Sequence, residues 1–310
     1  MASLFLEFVL ISLVAGNNLS VCVGSAIGSR IVGKRIGITI AAVGYILGLL
    51  LQGSYLSRAV SILLPSANSF SIDAALLITT LIFIIAEAKR VPQSLAVTLT
   101  AVLVGINVGL GTNPNLAFIA SIVAFWIVMP LVSFFLVLKT MRALSTGAPK
   151  KHIWSYAKLI RAALIISSFA TAFTLGGNTI GLILALIPKN SYSLALALVA
   201  IALGSVAFSG GTLKRVGNEI IPLRYINAVA SQFMSALTVE VATLFNIPFS
   251  NTASFIAGVY GAGISYRERV ILRRPIVMMV GTWVITALVG FVAGYVVMQA
   301  SAIIPSLLAF

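Results

Sequence analysis

The feature that most restricts this chain is a series of apolar runs, each near the length a bilayer requires, separated by short basic loops. Ten can be marked, at roughly 3–27, 36–53, 72–88, 91–111, 115–138, 161–187, 192–210, 222–246, 248–266 and 275–300. A helix satisfies its own backbone groups in hydrocarbon, so the series predicts an all-α, polytopic membrane protein. Composition agrees. Of the residues, 60% are hydrophobic and only 8% charged, where a soluble domain carries about a quarter charged. No polar stretch is long enough to hold a soluble domain. The first run lacks a basic leader and carries Glu7, so it reads as a span and not as a cleaved signal.

The basic residues give the orientation. With the N-terminus outside, the inner loops collect eighteen of the twenty lysines and arginines, leaving only Arg58 and Lys189 outside. The same bias explains the net charge of +14, so nucleic acid is not an expected partner; the lipid bilayer is. Spans one to five and six to ten each form an odd set, so the second half enters the membrane in the opposite sense. The expected organisation is a first transmembrane repeat over 1–140, a basic cytoplasmic linker over 141–160 and a second repeat over 161–310. The loop charges favour full crossing of 91–111 and 248–266 over re-entrant hairpins.

Two apolar runs carry matching lesions. Gly16-Asn17-Asn18 interrupts the first run, and Gly177-Asn178-Thr179 the sixth. Glycine loosens a helix, and asparagine brings an amide that hydrocarbon cannot solvate. Paired broken helices in inverted halves point to a substrate site near the midplane. A second pair supports this. Pro92, Ser94, Ala101 and Gly105 match Pro248, Ser250, Ala257 and Gly261 at one constant offset. Proline at a first helical turn leaves amide groups free, with serine beside them.

The expected midplane therefore gathers Asn17, Asn18, Ser20, Asn178 and Thr179 from the breaks, and Ser94, Ser250, Asn251 and Thr252 from the Pro-Ser starts. All are neutral hydrogen-bonding groups near helix N-termini, which suits a compact oxyanion. Cys22 and His152 are the single cysteine and histidine, so disulfides, thiolate clusters and histidine metal sites are excluded. No constellation for catalysis and no cofactor is implied.

These motifs resemble the PiT family of inorganic phosphate transporters, which also contains sulfate permeases. Family members carry a Gly-Ala-Asn-Asp-type motif and a Pro-x-Ser start in each half. Pro248-Phe249-Ser250-Asn251-Thr252 is close to the second-half start, and Pro92-Gln93-Ser94 is a looser version of the first. Thr212 through Val216, Pro222-Leu223 and Ala230-Ser231-Gln232 are also similar to the family pattern, which adds Gln232 to the expected substrate set. The resemblance implies a secondary transporter of the cell membrane, multi-pass and ion-coupled, moving inorganic phosphate. Sulfate or a similar oxyanion is the alternative, and a passive anion channel a further one. A homodimer is compatible with this reading.

The departures bear on coupling. The family's aspartate in each motif is Asn18 or Thr179 here, and the second asparagine is Val21 or Leu182. Hydrogenphosphate can donate its proton to a carboxylate, while sulfate has none to donate, so losing both acids moves weight toward sulfate. Glu240, read as deep in the eighth run, is the expected coupling residue, with the coupling ion either H+ or Na+. Glu7 is a weaker candidate. Glu87 reads as an interfacial charge beside Lys89, and Asp73 as a capping or dipole-stabilising acid.

Overall fold

Hydrocarbon offers backbone groups no partner, and each of the ten apolar runs indeed folds as helix. The computed structural model describes residues 2–28, 30–89, 93–145, 153–188, 190–207, 225–265 and 273–307. Among them every regular element is helical. Arg90, Pro92, Lys189, the Thr212–Leu223 motifs, Glu219 and residues 146–152 of the expected linker lie outside the described residues.

The first run forms α1 (Ala2–Asn17) and α2 (Leu19–Gly28), with α3 spanning Lys34–Gln52. A short helix, α4 (Leu56–Leu63), was not foreseen; it buries Leu56, Ala59, Val60 and Leu63. Next come α5 (Ser69–Ala88), α6 (Leu95–Gly109) and α7 (Leu116–Ser145). The second half contains α8 (Ile153–Leu175), a π-helical turn over Gly176–Ile180, α9 (Gly181–Leu184) and α10 (Ser191–Ala207). It closes with α11 (Tyr225–Leu244), α12 (Asn251–Ser265) and α13 (Arg273–Leu307). Asn68 caps α5 in a reciprocal box with Ser71, so Asp73 is not the cap expected there.

Six helical stretches among the described residues are long and apolar enough to cross a membrane. The fourth, seventh, eighth and ninth runs are not among them, and the fourth and ninth give the two shortest helices of these. α6 and α12 have 15 residues each, or about 22 Å of rise, against a hydrocarbon core of about 30 Å. The reason is where they start. α6 begins beside Asn17 at the α1–α2 break, and α12 begins beside Asn178 in the π turn. The α5–α6 and α11–α12 segments are thus hairpins whose turns lie level with the two lesions. Long helices surround the two hairpins.

Glycines set how the elements meet. Thr98 and Val102 of α6 lie against Gly290, Ile106 against Gly294 and Gly109 against Tyr295 and Met298, so α6 runs parallel to α13. A Cβ on Gly105 would lie 2.1 Å from the Phe291 carbonyl oxygen, so only glycine admits this approach. In the same way α12 runs parallel to α7, with Gly261 leaving 2.4 Å to the carbonyl oxygen of Phe134. The pairing of α3 with α8, through Gly48 against Phe173, has a counterpart in that of α10 with α1, through Gly204 against Ser12.

Candidate functional site

The two lesions are milder than full unwinding. Asn18 interrupts the first helix for a single residue, and its side-chain amide donates to the carbonyl of Val14 at 3.0 Å. In the second half Gly176–Ile180 widens into a π turn, a distortion frequent at functional sites. Both leave an asparagine buried and turned sideways, Asn17 in the first half and Asn178 in the second.

Each asparagine holds a hairpin start. Asn178 accepts the backbone N–H of Phe249 at 2.9 Å and donates to Thr243 Oγ1 at 2.9 Å and to the Ile247 carbonyl at 3.0 Å. Asn17 accepts the backbone N–H of Gln93 at 3.4 Å and donates to Glu87 Oε2 at 2.8 Å. Residues 93 and 249 each precede a serine at the start of a helix. Ser94 Oγ caps α6, accepting from the Val97 N–H at 3.4 Å. Ser250 Oγ is buried and has no protein partner among the described residues. A cavity of about 290 Å³ lies beside both starts, lined by Val97 of α6, by Ser250 and Ala253 at the start of α12, by Trp126 and Trp283, and otherwise by apolar side chains; Ser94 is not in its lining.

Neighbouring groups fix the starts. Gln93 donates from Nε2 to Thr98 Oγ1 and to Thr286 Oγ1, both at 2.6 Å, tying α6 to α13. Asn251 is held by Ser235, whose hydroxyl bonds both its side chain and, at 3.0 Å, its carbonyl. Thr252 and Thr179 are buried beside these groups. Trp126 Nε1 donates to the carbonyl of Pro248 at 2.8 Å. The starts of α6 and α12, one from each half, thus lie on one cavity, where Ser250 Oγ is a hydroxyl without a protein partner among the described residues.

Other expected site residues stand elsewhere. Gly177 packs against Gln52 of α3. Gln232 donates to the carbonyls of Val21 and Cys22 at 3.2 and 2.7 Å and accepts from Ser167 and Ser168 at 3.1 and 3.3 Å. Its hydrogen-bonding capacity is filled by protein, as a bolt between α2, α8 and α11. Glu240 lies near the end of α11, partly exposed, and its carboxylate accepts from Gln52 Nε2 at the end of α3. Glu7 is 0% exposed and neither of its oxygens has a partner among the described residues. Glu87, read as an interfacial charge, is half-buried and accepts from Asn17. The sequence carried one signal for this, since Glu87 and Thr243 fall at the offset that relates Ser94 to Ser250.

A multi-pass helical fold of this kind belongs with the membrane transporters. The family follows from the sequence match. Residues 14–294 match the phosphate transporter family, and the chain belongs to it. It is 23% identical to a Methanocaldococcus jannaschii protein that carries the name of a phosphate permease, over 95% of each chain. A Bacillus subtilis protein named as a low-affinity inorganic phosphate transporter is 27% identical over 42% of this chain and 43% of its own length. The fold is shared with a solved sodium-dependent phosphate transporter, at a TM-score of 0.83 and 17% identity over 98% of both chains.

Proposed function

We propose that this protein is a secondary transporter that moves inorganic phosphate across the cell membrane. The anion is held where the α6 and α12 starts approach the two asparagine frames. The observation that carries this reading is the matched pair of hydrogen bonds, Asn17 with Gln93 and Asn178 with Phe249, each placing a serine helix start at a helix lesion. Ser94, Ser250, Asn251, Thr252, Asn18 and Thr179 supply the surrounding hydroxyls and amides.

The halves are read as inverted repeats, 1–140 and 161–310, joined by the 141–160 linker. In support, Gly105–Phe291 matches Gly261–Phe134, and Gly48–Phe173 matches Gly204–Ser12, each half lending a helix to the other. An inverted pair of this kind favours alternating access over a passive pore.

Phosphate is preferred to sulfate because the family matched over residues 14–294 is one of phosphate transporters. Labelled phosphate uptake into proteoliposomes, with unlabelled sulfate as competitor, tests the assignment. Phosphate is expected to compete and sulfate to leave uptake intact; the reverse would assign the protein to sulfate.

A further inference from the structure

The two asparagine frames differ in charge. Asn178 donates to a neutral hydroxyl, Thr243 Oγ1. At the matching position of the first half, Asn17 donates to a carboxylate, Glu87 Oε2. Both frames share the backbone N–H that each asparagine accepts from the residue before a serine.

A carboxylate beside a site for an anion opposes that anion, and in surroundings of low dielectric the repulsion is poorly screened. A cation arriving at the carboxylate removes the repulsion. By linkage, anion and cation then strengthen each other's binding by the same factor, which is what coupled transport requires. The other acids among the described residues are placed differently. Glu240 is turned to Gln52, Glu7 lies about three turns up α1 from Asn17, and Asp73 is near the far end of α5. Of the elements packed on α5, α6 carries no ionisable side chain, and α13 carries only Arg273 and Arg274 at its start, well before Thr286. Lys89, two residues beyond Glu87, is the nearest basic group along the chain.

We propose that Glu87 is the coupling residue of this transporter. Its carboxylate takes up the monovalent cation, a sodium ion or a proton, that enters with the anion. The inference rests on the reading of the two frames as an oxyanion site. It assigns coupling to α5 in place of the Gly-x-Asn positions, where Asn18 and Thr179 carry no charge, and in place of Glu240.

The test is the stabilisation of the purified full-length protein by inorganic phosphate, read as a thermal shift. Phosphate is titrated at low and high sodium at fixed pH, and then across pH at fixed sodium. The two arms separate the sodium ion from the proton. For the unaltered protein the apparent phosphate affinity is expected to rise about tenfold with one of the two cations. In Glu87→Gln, which keeps an acceptor for Asn17 but no charge, phosphate still stabilises and the cation dependence is lost. If that variant does not fold, Glu87→Asp carries the test, with the cation dependence kept but its half-saturating concentration shifted. Full cation dependence in Glu87→Gln, an unshifted half-saturation in Glu87→Asp, or loss of the dependence in Glu240→Gln alone overturns the proposal. So does phosphate binding that responds to neither cation in the unaltered protein. Absence of any phosphate stabilisation there would refute the oxyanion site itself, and the coupling role with it.

Discussion

Asparagine is costly inside an apolar helix unless its amide is used, and in this protein Asn17 and Asn178 are each spent on another segment. Asn178 makes three bonds, two to backbone and one to the Thr243 hydroxyl, and is fully buried. The residue types at the site were legible because polar groups in hydrocarbon need a reason. Which of them face substrate was not, because that depends on what the rest of the fold leaves unsatisfied. Gln232 illustrates the gap: its motif placed it with the substrate, yet four protein groups occupy its amide. Gln232→Leu is expected to lower thermal stability by roughly 1–3 kcal/mol and to leave the phosphate KM unchanged. A raised KM at unchanged stability would return Gln232 to the binding set. Glu87 is the opposite case. Lys89 follows it closely in sequence, which read as an interface, while its partner Asn17 comes from a distant helix.

At the scale of elements, hydropathy marked every long helix but not the depth at which the hairpins turn. The run 91–111 reads as one span on the strength of Leu95–Gly109, and the contact with Asn17 shows that the helix starts only at Leu95. α4 escaped notice because eight amphipathic residues leave little periodic signal. Close glycine contacts hold the hairpins to the long helices. Gly261→Ala should therefore lower the folded fraction in detergent, since its Cβ meets the Phe134 carbonyl at 2.4 Å, at a cost of roughly 1–3 kcal/mol from overpacking. Gly281→Ala is the contrast. Nothing lies within 4 Å of its added Cβ, and alanine is the better helix former by about 1 kcal/mol. Equal behaviour of the two variants on size-exclusion chromatography would contradict glycine-dependent packing of α12 on α7.

For the whole molecule, orientation and repeat parity come from the charged loops, so they are tested from outside the membrane. With Cys22 replaced, an impermeant thiol reagent should modify Asn190→Cys and spare Ala148→Cys, the latter in the segment beyond the described residues. Labelling of Ala148→Cys alone would invert the orientation. The central claim is that one phosphate site is assembled from both halves, at the starts of α6 and α12. It is tested most directly by phosphate binding to Ser94→Ala and Ser250→Ala, measured by isothermal titration on correctly folded protein. Each substitution is expected to weaken binding by roughly 1–3 kcal/mol, through loss of a hydroxyl that serves the anion. Undiminished affinity in both variants would contradict the account and leave the two serines as helix caps alone.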